Sequence, residues 1–148
     1  MGSIRQKSRK FIYKTNVSWI EERKGILCSS GKPTIEVSTP PEFKGQEGMW
    51  TPEELFVASV NTCIKLTFIH YAQRDNLEFL SYESEAEGIL EIVEGKFMFS
   101  ELKVRPKIKV SSSDQIEKAK RIMDLSEKNC LITNSIKPKV EVTAVIST

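Results

Sequence analysis

The chain has 148 residues, 39 % of them hydrophobic, which is enough to build a core and counts against a disordered segment. Its 22 basic and 20 acidic residues leave a net charge of +2, without the basic stripe of a dedicated nucleic-acid binder. The apolar run at 55–64 stops at Lys65, short of the ~20 residues of a membrane helix, and no apolar core follows the basic start. One cytoplasmic domain spanning 1–148, with neither nucleic acid nor membrane as partner, is therefore expected.

In chain order, residues 1–10, with Arg5, Lys7, Arg9 and Lys10, read as a mobile, solvated tail. Residues 11–20 set Phe11, Tyr13, Val17 and Trp19 against Lys14, Asn16 and Ser18, the period of a half-buried strand. A turn is expected at Lys24-Gly25, then short strands at 26–29 and 34–38 separated by Ser30-Gly31-Lys32-Pro33. A Pro- and Gly-rich loop covers 40–48. Thr51-Pro52-Glu53-Glu54 is a capping box with proline at the first helical position, and it opens a helix through residue 72 that is apolar on almost every side. Such a helix belongs in the middle of a protein.

Strands follow at 79–90 and 97–110, joined by a hairpin turn at Val93-Glu94-Gly95-Lys96. Ser112 to Gln115 is a second cap signature, opening a one-sided helix on Ile116, Ala119, Ile122, Met123 and Leu125 that ends at Asn129-Cys130. A short helical turn at 132–136 and a strand at 139–146 close the chain. The class is α+β.

Three cysteines, Cys28, Cys63 and Cys130, make neither a disulfide scaffold nor, with the single His70 and no C-x-x-C, a zinc site. Cysteine chemistry without a metal is what remains, beside the plain alternative of buried structural thiols. Cys63 lies mid-helix, where no helix N-terminus lowers its pKa, and a lining of Phe56, Val60 and Leu66 is expected around it. Cys130, at the end of the second helix, can meet it if the fold brings the two Cα atoms within ~7 Å. His70 stands seven residues after Cys63, on the same helical face but ~10.5 Å along the axis, too far to act as its base.

Thr51-Pro52-Glu53-Glu54-Leu55 with Cys63 ten residues after Glu53 resembles the N-P-E-E-L…C stretch of the OsmC/Ohr family, the osmotically inducible and organic hydroperoxide resistance proteins. Glu127-Lys128-Asn129-Cys130 is similar to the family's second cysteine stretch, and the run from Arg23 to Gly31 to its arginine-bearing first turn. Departures are Leu131 for the usual proline, Thr51 for asparagine, and Asn61-Thr62 where small apolar residues are common. The resemblance implies curved antiparallel sheets around long buried central helices in an intertwined homodimer. It also implies a thiol peroxidase that reduces organic hydroperoxides, and hydrogen peroxide less well, without a cofactor. Cys63 would become a sulfenic acid, Cys130 would resolve it as a disulfide, and an external dithiol or lipoyl-type reductant would restore both.

By the same resemblance, Arg23 and Glu53 complete the site. Arg is the cation that stays charged beside a buried thiolate, and a carboxylate can hold its guanidinium in a bidentate pair. Glu53 lies ~15 Å along the helix from its own Cys63. It is expected to orient an Arg23 that meets the thiol of a partner chain. Cys28 has no counterpart in the pattern and reads as a bystander. The alternative function is a non-catalytic protein holding a small apolar ligand on the same scaffold.

Overall fold

The computed structural model describes residues 9–148. Most of the expected tail, with Arg5 and Lys7, therefore lies outside the described residues, while Arg9 and Lys10 are exposed and belong to no element. The described chain falls into two compact units, one running to Pro52 and the other from Glu53 to Thr148.

The first unit is a three-stranded antiparallel sheet, β1 (Asn16–Glu21), β2 (Lys24–Cys28) and β3 (Ile35–Val37), in the order β1-β2-β3. The turn expected at Lys24-Gly25 forms at Glu22-Arg23, with Glu22 in the left-handed region at φ 46°. Lys24 and Gly25 already pair with Glu21 and Trp19. Two side-chain contacts hold this reversal: the Trp19 indole N–H donates to the Glu22 carbonyl (3.0 Å), and Lys24 Nζ meets Glu21 Oε1 (2.9 Å). Gly25 is needed within the strand, because a Cβ there would stand 2.8 Å from the Ser18 carbonyl oxygen. β1 starts later than the alternating pattern suggests, and residues 11–15 are exposed without regular structure.

The second unit opens in the first turn of α1 (Pro52–Arg74). Val60, Ile64, Phe68 and Ala72, four residues apart, form its buried stripe. Against it lies a long hairpin of two 15-residue strands, β4 (Phe79–Val93) and β5 (Lys96–Val110). Its two-residue turn, Glu94-Gly95, has φ 50° and 79°, the double positive φ whose twist matches a hairpin. Along β5 every second residue, Leu102, Val104, Pro106, Ile108 and Val110, is buried. α2 (Ile116–Asn129) contributes Ala119, Ile122 and Met123 to the same core. Phe68 is gripped by Phe79 and Tyr82, with ring centroids 5.5 and 5.4 Å away.

Three further expectations change. Ser112 does not cap α2: its hydroxyl bonds the Asp114 carboxylate, and a 3-10 turn at Ser113–Gln115 precedes the helix. The last strand splits at Thr143 into β6 (Lys139–Val142) and β7 (Val145–Ser147), both parallel to β5, so this sheet is mixed. The interruption at Lys65 does not take α1 below the length and apolarity of a membrane helix. Among the described residues α1 is the one helix long and apolar enough, by length and composition, to cross a membrane, although one stripe of it is built into the core.

Candidate functional site

Two elements of the second unit converge on a pair of thiols. Cys63 sits at the middle of α1, beside the buried stripe, and is half-buried. One turn on, Thr67 donates its hydroxyl to the Cys63 carbonyl (2.7 Å) and lies 4.0 Å from the Cys63 sulfur. Cys130 ends α2 with extended backbone (φ −68°, ψ 109°), which turns its side chain back into the core, where it is fully buried. The Asn134 N–H donates to its carbonyl (3.0 Å) and fixes the 3-10 turn at Thr133–Ser135 beyond it.

The Cys130 thiol stands near enough to the Cys63 thiol for the two to influence each other electrostatically. Burial pushes the Cys130 thiol above its ordinary range; the hydroxyl and backbone of Thr133 pull the other way, and the neighbouring Cys63 adds a smaller upward push. Cys130 is thus a protonated, enclosed thiol facing a neighbour that opens outward.

Cys63 opens into a groove of about 720 Å³, walled on α1 by Leu55, Ala58, Leu66 and Tyr71 and closed by Leu131 and Ile132 beyond α2. The lining is largely apolar. Leu66 belongs to it as expected, but Phe56 and Val60 do not: Val60 is in the core, and Phe56 stacks on Phe99 at 4.9 Å. Sequence reasoning missed Thr67, Tyr71, Ile132 and Thr133. The first two follow from i+4 spacing to Cys63 and from the groove face of α1; the others depend on how the chain leaves α2.

Glu53 sits in the first turn of α1, one carboxylate oxygen buried without a hydrogen-bond partner among the described residues. Arg23 is exposed at the β1–β2 turn of the first unit. There it lines, with Lys24, Ser38 and Trp19, a second cavity of about 450 Å³. Cys28, half-buried, closes β2 opposite Asn16. His70 is exposed at the rim of the large groove, edge-on to the Tyr71 ring at 5.1 Å. Among the described residues no three His, Cys, Asp or Glu side chains gather as metal ligands would.

A long central helix on a β-hairpin, with a half-open thiol on one helix beside a buried thiol at the end of the next, defines a two-cysteine α+β class. The chain belongs to the OsmC-like protein family, whose model matches residues 45–145. It is 27 % identical over 135 residues to the uncharacterized protein YmaD of Bacillus subtilis, covering 88 % of this chain and 89 % of that one. An OsmC-like protein of unknown function from Vibrio cholerae superposes with a TM-score of 0.85 at 24 % identity, over 92 % of this chain and 100 % of the other. An organic hydroperoxide resistance protein from Legionella pneumophila gives 0.69 at 23 % identity, over 94 % and 100 %. These likenesses establish the α+β OsmC-like fold with its two helices and antiparallel hairpins.

Proposed function

We propose that this protein is a cysteine-based thiol peroxidase acting on organic hydroperoxides, and less well on hydrogen peroxide. The observation that carries the reading is the neighbourhood of a half-exposed Cys63 and a buried Cys130, close enough to interact, at an apolar groove. The Cys63 thiolate attacks the terminal, hydrogen-bearing oxygen of ROOH. The O–O bond breaks, sulfur loses two electrons to become a sulfenic acid, and the alkoxide takes a proton and leaves as ROH. The Cys130 thiol then attacks the sulfenic sulfur. Its proton leaves with the hydroxyl as water, and a disulfide remains. An external dithiol or lipoyl-type reductant, itself oxidised to a disulfide, returns both thiols.

Each thiol suits its step. Cys63 meets solvent and substrate through the groove. Cys130, kept protonated by burial, does not compete for peroxide and stands in reach of the sulfenic acid. Arg23 is assigned the stabilisation of the Cys63 thiolate and Glu53 the positioning of that guanidinium, within an intertwined homodimer whose partner chain supplies the arginine. The apolar walls favour organic peroxides over hydrogen peroxide. A cytoplasmic setting, where thiols are kept reduced, suits the cycle.

The test is a titration of the reduced protein with cumene hydroperoxide. One equivalent should remove the Cys63 and Cys130 thiols together, lower the mass by two hydrogens and release one equivalent of alcohol, whereas Cys63→Ser should consume nothing. Full retention of both thiols in the wild type overturns the peroxidase and leaves a non-catalytic protein holding a small apolar ligand in the groove.

A further inference from the structure

We propose that residues 9–14 form a membrane-docking arm, which lays Phe11, Ile12 and Tyr13 into the headgroup region of an anionic lipid surface while the flanking cations meet the lipid charges. The inference is independent of the peroxidase reading and of the groove. It concerns attachment to the surface of a bilayer, which needs no spanning helix.

Phe11, Ile12 and Tyr13 are 74 %, 82 % and 90 % exposed, three consecutive large apolar side chains without cover in the first unit. Single apolar residues on a surface are ordinary, but a contiguous run held almost wholly in water marks an interaction site. The backbone there belongs to no strand or helix, so no pleat divides the three side chains between two faces. All three can turn to one surface. The base of the arm is fixed: the Ser29 hydroxyl donates to the Lys14 carbonyl (2.9 Å), and Asn16 opens β1 opposite Cys28.

Charge says what the arm fits. Residues 1–20 hold five cations, Arg5, Lys7, Arg9, Lys10 and Lys14, and no acid, while the rest of the chain holds 17 basic and 20 acidic residues. Arg9, Lys10 and Lys14 are exposed and bracket the apolar run on both sides. The β2–β3 turn, tied to the base of the arm through Ser29, adds the exposed Lys32 and no acid. The acids of this sheet stand elsewhere. Glu21 and Glu22 lie at the other end of β1, where Glu21 pairs with Lys24 (2.9 Å), and Glu36 lies in β3. Lys14 is separated from Glu21 by about seven residues, ~23 Å of extended chain. An apolar centre with a cationic edge matches an anionic bilayer, whose lipid charges lie over acyl chains. Phe11 and Tyr13 suit that boundary, Tyr13 with its hydroxyl left in water. A nucleic acid would answer the charge but not Ile12, which offers neither a stacking face nor a hydrogen bond.

The experiment is co-sedimentation of the full chain with vesicles of phosphatidylcholine alone, or with about three lipids in ten replaced by phosphatidylserine. Wild type should bind the anionic vesicles, come off them in high salt, and not bind the neutral ones. Lys10→Gln/Lys14→Gln should weaken binding roughly 25-fold, about fivefold for each cation lost. Phe11→Ser/Ile12→Ser/Tyr13→Ser changes no charge and should weaken it about tenfold or more, the mark of apolar insertion. Both variants should keep the wild-type Tm, since every replaced side chain is exposed. Should the triple variant fail to fold, Phe11→Ser and Tyr13→Ser singly should each still weaken binding a few-fold. Serine variants that bind as wild type does, equal binding to both vesicles, or binding to neither overturns the proposal. So does an oligonucleotide held more tightly than the anionic vesicles through Lys10 and Lys14, which would make the arm a nucleic-acid face. Wild type that stays off the vesicles, with a triple variant that scatters at lower mass, would assign the run to a second copy of the chain and overturn it as well.

Discussion

Two cysteines with opposite surroundings divide the proposed chemistry between them, and single substitutions separate their parts. Cys130→Ser should leave the first oxidation of Cys63 intact and remove its resolution. With excess hydroperoxide, mass spectrometry should then find sulfinic Cys63 in place of the disulfide. Arg23→Ala should slow peroxide attack roughly 10- to 150-fold, the rate equivalent of a charge-assisted contact of ~1.5–3 kcal/mol, and should move the ascending limb of the pH–rate profile to higher pH. An unchanged profile would remove Arg23 from the site. Cys28→Ser should keep turnover within about twofold, because Cys28 ends a strand in the first unit and the thiol pair at the groove involves only Cys63 and Cys130. Tyr82 supplies a test of stability. Burial pushes its hydroxyl from 10.0 up to about 12. Between those values the unfolded chain has released a proton that the native state still holds, so this contribution is complete below pH 10 and is lost as pH rises towards 12. Tyr82→Phe should therefore flatten the fall of Tm in that window relative to wild type, and parallel curves would count against a buried, neutral Tyr82.

Among the elements, α1 and the β4–β5 hairpin were legible because local signals agree with the tertiary structure. The expected start at Thr51-Pro52 falls where α1 begins, and Glu94-Gly95 occupies the expected turn. The first reversal was misread because Gly25 resembles turn chemistry, whereas it serves a close approach inside β2, with the turn made two residues earlier. The last strand was read as one because its break at Thr143 leaves no Gly or Pro mark; the Thr143 N–H instead bonds the Val104 carbonyl (2.9 Å). The groove was legible only on its α1 wall, since helical spacing gives a face, while the Leu131–Ile132 wall depends on how Cys130 turns the chain out of α2. The packing of α1 on β4 rests on a glycine that no pattern marks. At Gly88 a Cβ would stand 2.6 Å from Val57 and 2.7 Å from Phe99. Gly88→Ala must push the helix off the strand or move the ring stacked on Phe56, and overpacking of this kind costs about 1–3 kcal/mol. A lower urea midpoint at unchanged slope is the expected result; an unchanged midpoint would mean that α1 has room to shift.

For the whole molecule, the distribution of apolar surface points to self-association. In the first unit Val17 and Trp19, on alternating positions of β1, are 69 % and 76 % exposed, so the face that the alternation marks as inward has no cover within that unit. In the second unit Leu66 is 56 % exposed on the helix that carries Cys63, although α1 is apolar nearly all round. A helix of this kind is stable in water only when its remaining faces are covered. The small first unit, with three short strands, is in the same position. A second copy of the chain would cover both, in keeping with the proposed intertwined homodimer, and an obligate interface of that kind should bury ~2,000 Å² or more. Light scattering should therefore give twice the chain mass at micromolar concentration, and Leu66→Glu should lower it towards the monomer by placing a charge in the covered face. The same variant should lose peroxidase activity if the partner's Arg23 completes the site, and mixing experiments make that specific. Heterodimers of Cys63→Ser with Arg23→Ala chains contain one site with both residues when the arginine comes across the interface, and none when it comes from the same chain as the thiol. Recovery of up to half the wild-type activity on mixing would establish the shared site. A wild type that scatters as a monomer, or mixtures no more active than their parents, would place the whole reaction within one chain.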